Sequence, residues 1–593
     1  MQLLAFLLLS AVLLYAAYAI IGRMLARMFK LSSETQATPA FKMRDGLDYE
    51  PARTAALVPQ HFSAIAAAGP IVGPILAAKL FGWGPAWLWI IIGGALIGGI
   101  HDFVALVASV RHGAKSIAEI VRQNMNPRAY FLFLAFVWFA LIYVIIAFTD
   151  VTAGTFVAKA SAAGGDAPGP AVASSSMLYL GLAVVMGILL RKTKLTPGVA
   201  KMIFLPLVLL AIFAGAFIPL DISSLAGGNS QMVWGYILLA YCFVAAMAPV
   251  WALLQPRGEL GGYFLYLVMA LILGGVAVTA FTGAHHIEQP FFKGWVDSTT
   301  GSPLFPILFI TVACGACSGF HSIIASGTTS KQLERECDAR MVGYGSMLLE
   351  SFFACMSLVT VMIIPVAIGI GKPDAVYAGS IADLARGIVS LVKPVSGTLG
   401  DDAIYQLLYR FALLCFATFV FDTLDACTRL ARYVLMEALH WETRGQAVAA
   451  TIITLAFPCM VLPIRAVTLN GQQVPLWQVF WNIFGSSNQL LAALTLLGLT
   501  MWLARKKMAW QLTFAPTIFM MTMTLWSLYL NIGPYITKWN SGNPMDTFTH
   551  LQFAITCSLI ALSVWLIIEA LITAAQIMRP PAGQTPELAM GMV

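Results

Sequence analysis

The chain has 593 residues, of which 59% are hydrophobic and 10% are charged, and its mean hydropathy is +0.83. Soluble domains carry roughly a quarter charged residues, so this composition excludes a soluble globular protein and indicates a partnership with the lipid bilayer. The net charge of +7 comes without a basic run interleaved with aromatic residues. We therefore do not expect nucleic acid as a partner.

Apolar runs of membrane-spanning length recur along the chain and predict an all-α polytopic membrane protein. The first run, 3–22, is followed rather than preceded by positive charges, so we expect a retained helix and not a signal peptide. In chain order we predict about fifteen transmembrane helices: 3–22, 61–80, 85–110, 129–155, 176–190, 199–219, 232–253, 262–282, 303–326, 342–370, 403–424, 446–464, 476–500, 512–532 and 551–575.

The distribution of basic residues predicts the orientation of these helices. If the N-terminus lies outside, the inner segments hold 25 Lys and Arg and the outer segments hold eight. Because cytoplasmic loops carry the basic excess, we expect a multi-pass protein of the cytoplasmic (inner) membrane with an outer N-terminus and a cytoplasmic C-terminus. We also expect a short surface helix within 112–126 and a disordered tail at 579–593.

The second run contains "AAAGPIVGPILAA" at 66–78, with Gly-Pro twice. Prolines lack an N–H, so two carbonyl groups lose their helical partners, and such groups are tolerated at membrane depth only beside protein or a wet cavity. Carriers use unwound backbone of this kind to bind substrates and ions. We predict that one wall of a substrate site is formed by Ala66, Gly69, Pro70, Gly73 and Pro74. The alternative is a proline kink with tight packing of small residues.

Two later runs carry similar signals. In 232–253, Pro249 interrupts "APVWALLQPRG", so we add Pro249 and Trp251 to the predicted substrate site. In 303–326, "ACGACSGFHSIIASGTTSKQ" gathers hydroxyl groups that could bind a cation; the alternative is small-residue packing with hydroxyls bonded to their own backbone. The predicted ion-coupling residues here are Ser318, His321, Ser322, Thr328 and Thr329.

Ionisable residues at membrane depth are functional by default. We therefore add His61 and Asp102 to the ion-coupling set, with a buried helix anchor as the alternative for Asp102. Glu350 lies at a similar depth. Asp425 and Arg429 are four residues apart, which predicts a structural ion pair. The polar residues of 482–489 are expected to hydrogen-bond between helices.

No P-loop and no H-E-x-x-H or G-x-S-x-G motif is present. Cys314 and Cys317 form an isolated pair that favours helix packing over metal binding. We therefore expect neither an enzyme nor an ATP-driven pump, no metal and no cofactor, with H⁺ or Na⁺ as the coupling ion.

Several motifs in fixed order resemble the carbon starvation protein A family: "QHFSAIAAAGPIVGPILAA", "GALIGGIHDFVAL", "APVWALLQPRG", "ACGACSGFHSIIASGTTSKQL", "DACTRLARY" and "FGSSNQLLAA". They cover residues 60 to about 493. The family motif often has two histidines before the phenylalanine, and here Gln60 replaces the first, which leaves His61 alone.

The resemblance implies a secondary carrier of short peptides or of pyruvate, working by alternating access. It also implies a LeuT-like core of five plus five helices, with 61–220 as the first repeat, 231–425 as the inverted second repeat and 446–575 as peripheral helices. The expected function is ion-coupled uptake of a small organic nutrient. The alternative is a channel or membrane sensor on the same scaffold without coupled transport.

Overall fold

The fold is helical, with one short β-hairpin. The computed structural model describes residues 1–35, 37–125, 127–157, 168–391, 400–464, 466–469, 472–542 and 547–578. Over these residues, thirteen helices are long and apolar enough to cross a membrane, or fourteen if one bent pair forms a single span. The predicted all-α polytopic membrane fold is confirmed. The predicted disordered tail, 579–593, lies outside the described residues.

The first half of the chain contains thirteen helices among the residues described. They are α1 (Gln2–Met28), α2 (Pro39–Lys42), α3 (Thr54–Ile65), α4 (Gly69–Phe81), α5 (Trp83–Gly93), α6 (Gly99–Arg111), α7 (Ile117–Asn124), α8 (Pro127–Phe156), α9 (Gly169–Lys192), α10 (Pro197–Phe217), α11 (Ser223–Ala226), α12 (Ser230–Met247) and α13 (Leu254–Thr282). A π-helical turn, Gly94–Gly98, joins α5 to α6. The short helix predicted within 112–126 is confirmed as α7.

The second half continues the bundle. Its helices are α14 (Leu304–Thr311), α15 (Gly319–Gly327), α16 (Ser346–Met362), α17 (Pro373–Ser390), α18 (Asp401–Ala438), α19 (Arg444–Val461), α20 (Leu476–Arg505), α21 (Gln511–Asn540) and α22 (Thr547–Met578). The hairpin pairs β1 (Ala466–Leu469) with β2 (Gln472–Pro475) in antiparallel register. The repeat boundaries 61–220 and 231–425, and the peripheral role of 446–575, stay predictions.

The second predicted span is a bent pair of helices, α3 and α4. The helix axes differ by 43° across a break of three residues, 66–68. Pro70 lies in the first turn of α4, where a missing N–H costs no hydrogen bond. Pro74 lies inside α4, so the expectation that each proline interrupts the helix is wrong for Pro74. The structure has one break in this pair of helices, at 66–68, immediately before the first Gly-Pro pair.

Two other predicted spans differ from the structure. The span 303–326 is not one helix, because α14 ends at Thr311 and α15 begins at Gly319. Pro249 does not interrupt a span, because α12 ends at Met247 and the proline follows its C-cap. A proline in that position stops a helix instead of breaking one.

Residues 45–53, which we call the strap, precede α3 and cross one end of the bundle. Val250, in the turn between α12 and α13, donates its N–H to the carbonyl oxygen of Leu47 at 3.0 Å. The N–H of Ala52 donates to the carbonyl oxygen of Gln332 at 2.9 Å. The strap therefore ties the start of α3 to the α12–α13 turn and to the chain that follows α15.

Candidate substrate and ion-coupling site

The two helix breaks, 66–68 and 312–318, meet inside the bundle. A Cβ atom built on Gly69 would lie 2.4 Å from the Sγ of Cys314, and one built on Gly73 would lie 2.6 Å from a backbone oxygen of Thr311. Both distances are far inside van der Waals contact, so only glycine lets the two backbones approach this closely. The partner of the first break is therefore the second break, at 312–318, and not Pro249.

The crossing leaves backbone groups without hydrogen bonds. Within the part of the chain that the structure describes, the N–H groups of Ala68 and Gly69 and the carbonyl oxygen of Ala66 have no partner, and neither have the N–H groups of Cys314 and Gly315. Buried backbone groups are otherwise almost always paired. Unpaired donors and acceptors from both breaks are thus concentrated in one place.

Two amides of α20 hold the start of α15. Asn488 accepts the N–H of Phe320 at 2.8 Å through Oδ1 and donates to the Oγ of Ser318 at 3.0 Å through Nδ2. Gln489 donates to the carbonyl oxygen of Cys317 at 3.1 Å. These bonds confirm the predicted interhelical hydrogen bonding for Asn488 and Gln489. They also explain how the unwound backbone at 312–318 is supported.

A fully buried cluster of imidazoles and carboxylates lies beside the second break. The Nδ1 of His321, on α15, is 2.8 Å from Oδ2 of Asp102 on α6, and the Nε2 is 3.3 Å from Oε2 of Glu350 on α16. Oδ1 of Asp102 is 2.7 Å from Nδ1 of His101. All four side chains are fully buried. An imidazole between two carboxylates can accept a proton on one nitrogen and release it from the other.

His61, on α3, joins the two broken helices. Its Nδ1 is 2.8 Å from the Oγ1 of Thr329, in the turn that follows α15. Its Nε2 is buried and makes no hydrogen bond with the residues that the structure describes. His61 therefore keeps one nitrogen free for a proton or a ligand.

Two of the predicted cation ligands make bonds within their own helix. Ser322 donates to the carbonyl oxygen of Gly319 at 2.7 Å, and Thr328 donates to that of Ile324 at 3.0 Å. Both bonds follow the alternative pattern, in which hydroxyls bond back to their own helix. An ion-coupling role for Ser322 and Thr328 stays a prediction.

Pro249 and Trp251 lie apart from the contacts of the two breaks. Both are in the α12–α13 turn, where the guanidinium of Arg191 lies 5.6 Å from the ring of Trp251. The backbone oxygen of Trp251 approaches Gly187 of α9. A substrate role for Pro249 and Trp251 stays a prediction.

The predicted ion pair between Asp425 and Arg429 is wrong. Asp425 pairs with Arg257 of α13, and Arg429 is 3.3 Å from Asp48 of the strap. Both residues lie on α18 but pair with different elements, α13 and the strap, and spacing along one helix does not reveal such partners. Residue 257 falls between the predicted spans 232–253 and 262–282, in a segment that the bias of basic residues assigns to the inner side. The structure instead places it, fully buried, within a helix.

Arg257 belongs to a second cluster of buried charges. Its Nη1 contacts Oδ2 of Asp425, and its Nε is 3.9 Å from Oδ1 of Asp422. The hydroxyl of Tyr241, on α12, donates to Asp425 at 2.7 Å, and the hydroxyl of Ser63, on α3, donates to Oδ2 of Asp422 at 2.6 Å. The cluster therefore links the broken helix α3 to α12, α13 and α18. Nothing in the spacing of these residues along the sequence signals it.

Comparison with known proteins identifies relatives over most of the chain. The peptide transporter CstA of Helicobacter pylori is 31% identical over 580 residues, covering 88% of this chain and 81% of that protein. Its Escherichia coli counterpart is 32% identical over 572 residues, covering 86% and 78%. The Escherichia coli pyruvate/proton symporter BtsT is 30% identical over 592 residues, covering 87% and 80%.

Solved structures with a partly similar chain path are also found. The structure of MhsT in complex with L-phenylalanine gives a TM-score of 0.47 at 11% identity, covering 88% of this chain and 98% of that one. An Eremococcus coleocola manganese transporter, in complex with an aromatic bis-isothiourea substituted compound, gives 0.47 at 12% identity, covering 90% and 99%.

The family model described as carbon starvation protein CstA matches residues 2–397 and 370–527. This match and the identities over more than two thirds of each relative confirm the resemblance seen in the motifs. The chain belongs to the carbon starvation protein CstA family.

Proposed function

We propose that this protein is a secondary carrier that takes up a short peptide or pyruvate across the cytoplasmic membrane, coupled to H⁺ or Na⁺, by alternating access. The observation that carries the proposal is the crossing of the breaks 66–68 and 312–318 beside the cluster of His321, Asp102 and Glu350. The names of its relatives, a peptide transporter and a pyruvate/proton symporter, support it. In this proposal the protein is not an enzyme and needs no cofactor.

The substrate would bind where the two breaks cross. A helix N-terminus carries partial positive charge and unpaired N–H groups, which suits a carboxylate. The N–H groups of Ala68 and Gly69, at the start of α4, have this character. Peptides and pyruvate share a carboxylate, so one set of donors serves both substrate classes.

The coupling ion would act through the groups that bridge the broken helices. His321 joins α15 to α6 and α16, and His61 joins α3 to the turn after α15. Adding a charge to either imidazole changes these bridges directly. The energy of ion binding can therefore favour one arrangement of the broken helices over another.

Transport into liposomes tests the proposal against the channel or sensor alternative. We expect the reconstituted protein to accumulate pyruvate or a di- or tripeptide above its external concentration when a pH or sodium gradient is imposed. A channel would equilibrate its solute without accumulating it. If neither substrate class accumulates with either gradient, the carrier proposal fails.

The variant Asp102→Asn tests the coupling cluster. It removes the carboxylate that contacts both His101 and His321, so we expect it to retain substrate exchange but to lose gradient-driven accumulation. Asp402→Asn, at an exposed carboxylate at the start of α18, is the matched control and should behave as the wild type. Unchanged accumulation in the Asp102 variant would remove this residue from the mechanism.

A further inference from the structure

The cluster around Arg257 carries an unbalanced charge. One guanidinium faces two carboxylates, Asp422 and Asp425, and all three groups are buried. The other titratable groups that face them are the hydroxyls of Tyr179, on α9, and Tyr241, and the thiol of Cys242, on α12. All of these are neutral in their ordinary protonated form. With both carboxylates ionised, the cluster therefore has a net charge of −1.

The excess negative charge falls on Asp422. Asp425 has a direct ionic partner in Arg257 and a second donor in the hydroxyl of Tyr241. Asp422 accepts one hydrogen bond, from the hydroxyl of Ser63 on Oδ2, while its Oδ1 makes no hydrogen bond to any described residue and lies 3.9 Å from the Nε of an arginine that already pairs with Asp425. A buried charge without a matching counter-charge destabilises the folded protein, because it has lost its hydration without gaining an equal attraction. A single monovalent cation at Asp422 would remove that destabilisation.

The surroundings of Asp422 select a proton over a metal cation. Hard metal cations take several oxygen ligands, and the guanidinium Nε of Arg257, only 3.9 Å from Oδ1, would repel a second cation in the same space. A proton does not require several oxygen ligands. It is taken up from hydronium, whose O–H bond breaks as an O–H bond forms on the carboxylate, which becomes a neutral carboxylic acid.

We propose that Asp422 is a proton-binding site, and that its protonation state sets how firmly α18 holds the broken helix α3. An ionised carboxylate accepts a stronger hydrogen bond than a neutral one, so deprotonation tightens the contact with Ser63 and protonation loosens it. Ser63, which donates to Asp422, lies three residues before the break at 66–68. The role of the site in coupling rests on the proposed function, whereas proton binding does not.

An infrared titration of the purified full-length protein in lipid nanodiscs tests the site without substrate or transport. The C=O stretch of a carboxylic acid is separate from the carboxylate bands. On acidification in sodium-free buffer, we expect the wild type and Asp402→Asn to show the same signal from buried carboxylic acids. In Asp422→Asn, the intensity of this signal should be lower by the contribution of one carboxylic acid. The Ser63→Ala variant should keep the signal at a shifted frequency, because one hydrogen bond to the carboxyl is lost.

Two outcomes would overturn the proposal. One is a signal of the same size in Asp422→Asn. The other is loss of the signal when Na⁺ is added at fixed pH, which would indicate a sodium site. If Asp422→Asn does not fold, Asp422→Glu keeps the acid and should shift the signal without removing it; an unshifted signal would count against the site.

The infrared titration and the liposome experiment can reject their two proposals independently. A wild type that binds the proton at Asp422 but accumulates no substrate leaves the site standing and rejects the carrier. A wild type that accumulates substrate under a pH gradient, while the infrared signal persists in Asp422→Asn, rejects the site and leaves the carrier standing.

Discussion

The contact between Gly69 and Cys314 decides how closely the two broken helices approach. A Cβ at Gly69 would lie 2.4 Å from both the Cβ and the Sγ of Cys314. Overpacking of this kind typically costs about 1–3 kcal/mol. We expect Gly69→Ala to lower the apparent unfolding temperature in detergent and to weaken substrate binding, because the backbone at the crossing must move apart.

The control for this prediction is Gly181→Ala in α9, where a Cβ would meet nothing within 4 Å. It should leave the unfolding temperature unchanged or slightly higher, since alanine favours a helix over glycine. The double variant Gly69→Ala with Cys314→Gly should recover part of the loss. Equal effects of the two single alanine variants would mean that the close approach has no energetic importance.

Sequence alone could predict some buried charges but not their partners. His61, Asp102 and His321 stand out because ionisable groups are rare in apolar runs, and all three are fully buried. The same rule does not identify Arg257 as a buried charge. This residue follows a turn at the end of an apolar run, where a basic residue is expected at the membrane surface.

The strap holds one end of α18 through Asp48. Burial raises the pKa of this carboxyl, but the charge of Lys331, the hydroxyl of Tyr433 and the charges of Arg429 and Arg432 outweigh it, so that the pKa lies below its usual value. A lowered pKa means that the ionised group stabilises the folded state above the pKa of the unfolded chain, roughly 3.9. This stabilisation is lost as the pH falls through the lower folded pKa.

We therefore expect Asp48→Asn to destabilise the protein at neutral pH by about 2 kcal/mol, as for a lost hydrogen bond to a charged group. The loss should shrink at acidic pH, where the wild-type carboxyl is itself protonated. Unfolding temperatures of the two proteins across this pH range provide the measurement, with Asp402→Asn as control. A difference that does not depend on pH would assign the effect to packing instead of charge.

At the level of helices, hydropathy located the apolar runs, because that signal is local to each segment. Hydropathy could not predict that the span 303–326 unwinds at residues 312–318. No proline marks the break at 312–318, and its support comes from Asn488 and Gln489, far along the chain on α20. A break held by a distant helix has no local signature beyond a concentration of small residues.

For the whole molecule, the bias of basic residues predicts an outer N-terminus and a cytoplasmic C-terminus. We expect a cysteine introduced at His285, beyond α13, to react with a membrane-impermeant thiol reagent in intact cells. One introduced at Glu442, between α18 and α19, should react only after the cells are opened. The background for both should lack the partly exposed Cys337, Cys459 and Cys557. The reverse pattern would invert the predicted topology.

The strap also limits how the broken helices can swing. Ala52 is bonded to Gln332 two residues before α3 begins, and His61 contacts Thr329 further along the same helix. Because the start of α3 is held in this way, any rocking of α3 against α4 would pivot at the break 66–68. The half-helix α3 and the end of α15 would then move together relative to α4.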